Sequence, residues 1–103
     1  MERKVSWTLP AVRDVEDIRD FIARDSERYA FSFVEKIYKI SHSLKTFAER
    51  GRMVPELRIQ SIRELFVARH RLVYKVFSDR IQIAAVIHMS RDFETAWNER
   101  ERF

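Results

Sequence analysis

Residues 71–88 read RLVYKVFSDRIQIAAVIH, and this stretch decides the fold. Its two halves, 71–77 and 81–88, are rich in β-branched and aromatic residues, which are typical of β-strands. The Ser78-Asp79 step between them has the length of a tight turn. The stretch therefore predicts a β-hairpin.

Counting outward from a two-residue turn gives the expected register of this hairpin. The expected cross-strand pairs are Phe77 with Arg80, Val73 with Ala84, Arg71 with Val86 and Arg69 with His88. Since residues two apart share a face, Arg69, Arg71 and His88 are expected together on one face, at one end of the sheet. The apolar set expected under the helices, on the opposite face, is Leu72, Tyr74, Val76, Ile81, Ile83, Ala85 and Ile87.

The residues upstream of the hairpin predict a strand followed by a helix. Apolar side chains alternate with polar ones over 5–9, which is the pattern of a half-buried strand. Apolar residues then recur at helical spacing from the expected N-cap Thr8 to about Asp25. Pro10 fits the first turn of this helix, where its missing N–H costs nothing.

A second helix is expected to follow at once. Ser26 is its expected N-cap, and its apolar stripe runs as far as Phe47. Gly51, the only glycine, is expected to end it in the left-handed conformation. The two helices in sequence predict an antiparallel helical hairpin.

The remaining segments complete an α+β fold. Residues 52–61 contain Pro55 and mixed polarity, which predicts an irregular crossover, and Ile62–Val67 reads as a strand. The tail allows a short C-terminal helix, with Phe93, Ala96 and Trp97 at helical spacing. We predict one domain over 1–103, in the order β-α-α-β-β-β, with both helices of the hairpin on one face of an antiparallel sheet.

The composition excludes several classes of function. The 103 residues include no cysteine, which excludes disulfide frameworks, cysteine-ligated metals and thiol nucleophiles. One glycine leaves no room for a Gly-rich phosphate loop, and three scattered histidines do not predict a metal site, so no metal or cofactor is expected. No segment approaches the about 18 apolar residues of a membrane span. The chain is therefore expected to be cytoplasmic, without a membrane partner.

The positive charge is concentrated in the middle of the chain. The net charge is +4 overall, but +7 over residues 36–80, between segments of −2 and −1. Between Arg50 and Arg71 there are six arginines and no lysine. Because the planar guanidinium suits phosphate and carboxylate, this segment predicts a polyanionic or acidic protein partner. The alternative is that the arginines simply solvate a surface.

The residues expected at one end of the sheet could carry chemistry. Arg63 on the preceding strand and Glu56 in the crossover are expected near Arg69, Arg71 and His88. Such a set could hold a phosphodiester, donate a proton and accept one. The structural alternatives are a hydrogen-bonded His88, edge charges at Arg69 and Arg71, a pair of Glu56 with Arg52 or Arg58, and a surface ion pair of Glu64 with Arg63.

Several segments in order resemble the RelE/ParE superfamily of toxins from bacterial type II toxin-antitoxin modules. They are 11–18 (AVRDVEDI), 21–23 (FIA), 51–56 (GRMVPE), 62–65 (IREL), 71–76 (RLVYKV) and 86–92 (VIHMSRD). The resemblance covers most of the chain and implies the same order of elements as the periodicity. One branch of the superfamily consists of ribosome-dependent endoribonucleases that cut messenger RNA, whereas the ParE-like branch, linked to plasmid stabilisation, poisons DNA gyrase.

The resemblance implies roles for particular residues in each branch. In the ribonuclease reading, an mRNA interferase, Glu56 is the general base, Arg71 holds the phosphate and His88 is the acid. However, the ribonuclease group whose carboxylate and arginine positions match Glu56 and Arg71 ends its last strand with a His-Tyr pair, whereas Met89 follows His88 here. We therefore favour the ParE-like reading, gyrase inhibition and growth arrest. In that reading a protein-binding surface contains Arg52, Arg63, Arg69, Arg71 and Arg91. The ribonuclease remains the alternative target class, and a non-toxic structural partner of another protein is the third.

Both toxin readings imply a cognate antitoxin. Such antitoxins are usually acidic and partly disordered, and wrap the helices and sheet of the toxin. The +7 segment would attract such a chain. The expected anchors are aromatic residues off the apolar stripe of the helical hairpin, namely Phe21, Tyr29, Phe31 and Tyr38.

Overall fold

The computed structural model describes residues 2–101, which form three helices and five strands. In chain order these are β1 (Lys4–Trp7), α1 (Leu9–Ala23), α2 (Glu27–Ser43), β2 (Arg52–Met53), β3 (Ile62–Val67), β4 (His70–Val76), β5 (Arg80–His88) and α3 (Phe93–Glu101). The α+β class, the helical hairpin and the three consecutive antiparallel strands Ile62–Val67, His70–Val76 and Arg80–His88 that follow it are confirmed. Met1, Arg102 and Phe103 lie outside the described residues, and a single domain over 1–103 stays a prediction.

The strands form one mixed sheet in the order β1-β5-β4-β3-β2. Strands β2 to β5 pair antiparallel, as predicted, but β1 runs parallel to β5 at the sheet edge. The crossover predicted to be irregular contains β2, a two-residue strand that pairs with β3. The expectation of a purely antiparallel sheet is therefore wrong at its N-terminal edge.

Both predicted N-caps are confirmed. The Thr8 hydroxyl accepts the amide of Ala11 at 3.2 Å, and the Ser26 hydroxyl accepts the amide of Tyr29 at 3.2 Å. Each satisfies one of the amides that a helix start leaves unpaired. Pro10 lies in the first turn of α1, as expected.

The predicted end of the second helix is wrong. Helix α2 ends at Ser43, and Leu44 and Ala48 are buried by the turns that follow it. The apolar residues of these turns continue the helical spacing of α2, which is why the sequence predicted a longer helix. Phe47, the last residue of the predicted stripe, is 64% exposed. Gly51 does not have a positive φ, so it is not a left-handed cap.

Gly51 is required by a close approach of two chain segments. A Cβ atom at this position would lie 2.4 Å from the carbonyl oxygen of Glu64 and 2.8 Å from the hydroxyl of Tyr74. The Gly51 amide donates to that hydroxyl at 2.8 Å, and the hydroxyl donates to the carbonyl of Ala48 at 2.8 Å. The glycine therefore lets the loop after α2 pack directly on β3 and β4.

The sheet is covered on both faces, which we call the hairpin face and the outer face. Helices α1 and α2 cover the hairpin face, confirming the prediction that both pack on one side. Its buried core is Ala11, Val15, Phe33, Ile37, Leu44, Ala48, Val67, Leu72, Tyr74, Ile81, Ile83 and Val86. The crossover and α3 cover the outer face with a second core, formed by Val54, Ile62, Val73, Ala85, Ile87, Phe93 and Ala96.

The predicted hairpin register holds at the turn and fails beyond a β-bulge. The observed pairs are Val76 with Ile81, Lys75 with Gln82, Tyr74 with Ile83, Val73 with Ala85, Leu72 with Val86, Arg71 with Ile87 and His70 with His88. Near the turn, the amide of Phe77 donates to the carbonyl of Arg80 at 2.8 Å, as expected. Ala84 is the extra residue of the bulge, so every later residue of β5 is displaced by one.

This displacement reverses the alternation of side chains at the end of β5. Ala85 and Ile87, predicted under the helices, lie on the outer face. Arg71 and His88, predicted together, lie on opposite faces, because Arg71 pairs with Ile87 and contacts Phe93 of the outer core. The expected cluster of Arg69, Arg71 and His88 does not form.

Helix α1 satisfies the polar groups that the bulge frees. The amide of Val86 donates to a carboxylate oxygen of Asp14 at 2.9 Å, and the same oxygen pairs with Arg100 of α3. The hydroxyl of Thr8 donates to the carbonyl of Ala84 at 3.4 Å. The bulge is therefore held by a side chain of α1 and by the side chain of its N-cap.

The β3–β4 turn consists of two residues in left-handed conformation that are not glycine. Ala68 has φ 45° and Arg69 has φ 67°. Side chains beyond glycine, asparagine and aspartate rarely adopt such values, which cost about 1–3 kcal/mol each. The turn therefore connects Val67 and His70 under backbone strain.

Replacing Ala68 with asparagine and Arg69 with glycine is expected to stabilise the protein by about 1 kcal/mol, because Asn-Gly prefers this turn geometry. Urea unfolding measures the change. The same Asn-Gly pair at Ser78-Asp79, where neither residue has a positive φ, is the matched control and is expected to give no gain. An equal gain at both turns would contradict the strain argument.

Candidate functional site

A cluster of two arginines and two glutamates lies on the outer face, where β2, β3, β4 and the crossover meet. We call Arg52, Glu56, Glu64 and Arg71 the Arg–Glu cluster. Strand β2 supplies Arg52, β3 supplies Glu64 and β4 supplies Arg71. Glu56 comes from the turn after β2.

Glu64 is the buried centre of the cluster. Its side chain is fully buried, and its two carboxylate oxygens accept from the Nε of Arg71 at 2.5 Å and the Nε of Arg52 at 3.0 Å. Burial of a carboxylate is stable only when such partners satisfy it. The prediction of a surface ion pair between Glu64 and Arg63 is wrong.

All three nitrogens of the Arg71 guanidinium donate to carboxylates. Its Nη1 and Nη2 donate to the two carboxylate oxygens of Glu56 at 2.9 and 2.6 Å, and its Nε donates to Glu64. The guanidinium carbon lies 4.3 Å from the ring centroid of Phe93. The side chain is only 11% exposed.

These contacts shift the ionisation of the pair in opposite directions. The hydrogen bonds from Arg71 lower the pKa of Glu56, although partial burial opposes the shift. The hydrogen bonds to Glu56, and then those to Glu64, raise the pKa of Arg71. Both groups are therefore held in their charged forms, and neither is poised to exchange a proton near neutral pH.

The predicted catalytic residues are only partly brought together. Glu56 and Arg71 are in direct contact on the outer face, as their expected proximity requires. His88 lies on the hairpin face, against His70, and its Nδ1 accepts the amide of Ser90 at 3.0 Å. The sheet itself separates His88 from the Arg–Glu cluster.

The predicted binding arginines are dispersed. Only Arg52 and Arg71 lie in one cluster, bridged by Glu64. The others occupy three separate places. Arg63 donates to the carbonyl of Gly51 at 2.8 Å, and Arg69 is part of the strained turn. The Nη2 of Arg91 lies 3.6 Å from a carboxylate oxygen of Glu99 in α3. They do not form one continuous arginine surface.

Two residues of the site escaped the sequence interpretation. Glu64 occupies the middle of a strand whose alternate neighbours Ile62 and Phe66 are apolar, and a charged residue in that setting is the signal for a buried pair. Phe66, 51% exposed, lies under the Arg52 guanidinium at 5.0 Å from the ring centroid. This stacked pair extends the Arg–Glu cluster to the surface.

The family model for the ParE toxin of type II toxin-antitoxin systems, parDE, matches residues 5–93. The chain belongs to the ParE toxin family. The match runs from β1 to the first residue of α3, so it contains the whole Arg–Glu cluster and both histidines of the sheet. The ParE-family toxin is thus a toxin of a type II toxin-antitoxin system within the RelE/ParE superfamily, as the sequence resemblance implied.

Solved structures share the fold of this ParE-family toxin. One is described as the chromosomal ParDE TA system from P. aeruginosa, with 21% identity and a TM-score of 0.70, and it covers 84% of this chain and 96% of that one. Another is the YoeB dimer from Staphylococcus aureus, with 18% identity and a TM-score of 0.58, covering 85% of this chain and 98% of that one. No curated protein matches in sequence. At these identities the two structures show a common fold.

The described part of the ParE-family toxin offers no clustered metal ligands. Within residues 2–101, no group of three or more histidine, aspartate or glutamate side chains is arranged to hold a metal ion. In the same range, every helix is too short or too polar to cross a membrane.

Proposed function

We propose that this ParE-family toxin acts by binding DNA gyrase, and that a cognate antitoxin neutralises it. The family match supports a toxin of the ParE type, and a structure with the same fold is described as a ParDE toxin-antitoxin system. A binding toxin needs a stable contact surface and no hydrolytic centre.

The sheet separates Arg71 from His88, and this observation favours gyrase over messenger RNA as the target. A ribonuclease needs its base, its phosphate-binding cation and its acid within reach of one phosphodiester. Here Glu56 and Arg71 lie on the outer face, whereas His88 lies on the hairpin face. In addition, Glu56 and Glu64 occupy the three donor atoms of Arg71 that would hold a phosphate.

The exposed end of the Arg–Glu cluster is the contact surface that we assign to the target. Arg52 is more than half exposed and stacks on the exposed ring of Phe66. Arginine and aromatic side chains dominate the binding energy of protein interfaces. Glu64 holds Arg52 from below, so the pair is preorganised for a partner surface.

The helical hairpin is the surface that we assign to the antitoxin. The predicted anchors Phe21, Tyr29, Phe31 and Tyr38 are all exposed on α1 and α2. Exposed aromatics of this kind suit an amphipathic segment that orders on binding. The +7 charge of residues 36–80 would attract an acidic one.

The decisive experiment is a supercoiling assay with purified gyrase. The wild type is expected to inhibit supercoiling, and Arg52→Ala with Phe66→Ala to weaken inhibition about tenfold or more, because hot-spot truncations cost about 2 kcal/mol or more. Arg19→Ala, in an exposed pair with Asp20 on α1, is the matched control and is expected to act like the wild type. Absence of inhibition at a large molar excess would exclude gyrase as the target.

An mRNA endoribonuclease is the second candidate, because Glu56 and Arg71 are in contact. It predicts cleavage of messenger RNA on translating ribosomes that is lost in both Glu56→Gln and His88→Asn. The gyrase proposal predicts no cleavage by the wild type. Cleavage that depends on His88 would therefore overturn the gyrase proposal and the argument from opposite faces.

A further inference from the structure

Two histidines face each other at one end of the hairpin face. His70 of β4 and His88 of β5 are direct cross-strand partners, and their ring centroids lie 5.0 Å apart at an interplanar angle of 86°. The His70 ring also packs on Phe33 of α2, with centroids 5.1 Å apart. His70 is 7% exposed, so the pair lies at the junction of the sheet with the helical hairpin.

The hydrogen bonds of the pair fit neutral imidazoles. His70 Nδ1 lies 2.7 Å from the carbonyl of Ala68, and since a carbonyl only accepts, this nitrogen carries the proton. His88 Nδ1 accepts the amide of Ser90 at 3.0 Å, so this nitrogen is unprotonated.

The charges around His70 come from four elements. Two cavities of about 380 and 280 Å³ share His70 in their walls. The titratable or charged groups that line them with His70 are Asp17 of α1, Tyr29 and Lys36 of α2, Arg69 of the β3–β4 turn and His88 of β5. Two permanent cations and one carboxylate leave this end with an excess of positive charge.

The same end holds the strained turn. His70 Nδ1 binds the carbonyl of Ala68, which has a positive φ, and the carbonyl of Arg69 accepts the amide of Met89 at 2.9 Å. These two hydrogen bonds connect the turn to β4 and to the residue after β5. The hydrogen bond of His70 and the backbone bond to Met89 therefore stabilise a turn conformation that is costly by itself.

We propose that the His70–His88 pair is a proton-sensitive latch. With both rings neutral, it holds the β3–β4 turn and the end of β5 against the helical hairpin. A proton on His70 buries a cation against Phe33, and two rings in contact cannot both take a charge without repulsion. Acidification therefore opens this end of the molecule by local unfolding, and the strain of the turn favours the opening.

The direction of the pH effect follows from the pKa of His70 in the folded protein, which is lower than its ordinary value. Burial lowers the pKa of His70 below its ordinary 6.5, the carbonyl of Ala68 partly opposes this, and the charge of His88 adds to it. The contribution of His70 to stability is thus complete above pH 6.5 and is lost as the pH falls below that value toward the folded pKa. The pKa of Glu56 is lowered from 4.5, so the ion pair of Glu56 with Arg71 is lost only at a pH below the range in which His70 takes up a proton.

The test is hydrogen exchange of the wild type and of His70→Asn at about pH 7.5 and about pH 5, corrected for intrinsic exchange. Asparagine keeps a donor for the Ala68 carbonyl but does not titrate. In the wild type, the opening constant of amides in the β3–β4 turn and of Met89 is expected to rise by up to about tenfold per pH unit below the ordinary pKa, as one proton requires. In His70→Asn the rise is expected to disappear, and in His42→Asn, at an exposed position of α2, to remain.

A second measurement keeps the proposal testable if His70→Asn does not fold. An NMR titration of the wild type reports the pKa of each imidazole, and His70 is expected below 6.5 and to shift upward in His88→Asn. A His70 pKa at or above 6.5 would overturn the latch. So would an equal pH response of wild type and His70→Asn, or acid-induced exchange that spares the β3–β4 turn. Neither measurement uses gyrase, so a negative result for the latch would leave the proposed target untested, and the reverse also holds.

Discussion

Arg71→Leu is expected to lower the free energy of unfolding by about 3 kcal/mol, because removing one partner of a buried ion pair leaves a buried charge uncompensated. Glu64 would keep only Arg52, which is more than half exposed, and its side chain would stay fully buried. The contact of the guanidinium with Phe93 would be lost as well. Urea unfolding at neutral pH measures the loss.

A double variant separates the charge effect from packing. Arg71→Leu combined with Glu64→Leu removes both charges, and apolar replacement of a buried pair is often neutral or stabilising, so most of the stability is expected to return. Arg19→Leu, in the exposed pair with Asp20, is expected to change stability by less than about 0.5 kcal/mol. An Arg71→Leu protein as stable as the wild type would show that Glu64 does not depend on its partner.

This result bears on how activity data for the cluster are interpreted. A substitution at Arg71 that abolishes toxicity fits a phosphate-binding residue and also fits a toxin that no longer folds. Glu56→Gln is a cleaner probe, because Glu56 is about one-third exposed and its loss leaves Arg71 bound to Glu64. A change in activity in Glu56→Gln is therefore not expected to be accompanied by a large loss of stability, whereas in Arg71 variants both are expected to fall together.

The sequence predicted well where the structure depends on local chemistry. Thr8 and Ser26 cap their helices because a hydroxyl three residues before an amide can satisfy it without help from the rest of the fold. The turn at Ser78-Asp79 is also local, and the pairing next to it is correct. These features need no knowledge of what packs on them.

It failed where both faces of a strand are covered. Residues 83–87 of β5 are all apolar, because α1 and α2 cover one face and α3 covers the other. A continuous apolar run does not show which side chains face the helices, and so it hides a bulge. The shift of one residue at Ala84 moved Arg71 and His88 to opposite faces, which no pattern in the sequence indicated.

The direction of β1 and the role of Glu64 failed for a related reason. The pairing of β1 with β5 joins residues at opposite ends of the chain, and no turn fixes its direction. Glu64 has a charged neighbour in Arg63, and its true partners, Arg52 and Arg71, become adjacent only when β2 and β4 pair with β3. Long-range pairing decides both, and local patterns do not report it.

Gly51→Ala is also expected to have a large effect on the free energy of unfolding. The sign of the change shows whether contact of this glycine with neighbouring atoms outweighs its effect on the unfolded chain. Gly51 does not have a positive φ, so an alanine could adopt its backbone conformation, and the reduced entropy of the unfolded chain alone would stabilise the protein by about 0.4–1 kcal/mol. The added Cβ, however, would lie 2.4 Å from the carbonyl oxygen of Glu64, which is backbone and cannot rotate away. Overpacking of this kind costs about 1–3 kcal/mol and occasionally more.

We expect the clash to prevail, with a net loss of about 2 kcal/mol in the free energy of unfolding, because the loop after α2 must separate from β3. Adding Tyr74→Phe removes the hydroxyl 2.8 Å from the Cβ but leaves the Glu64 carbonyl in place, so the double variant should not recover. Glu49→Ala, at an exposed position of the same loop, is expected to stay within about 0.5 kcal/mol of the wild type. A stabilised Gly51→Ala protein would mean that the loop can move away at little cost, and the glycine would then be required neither by conformation nor by contact.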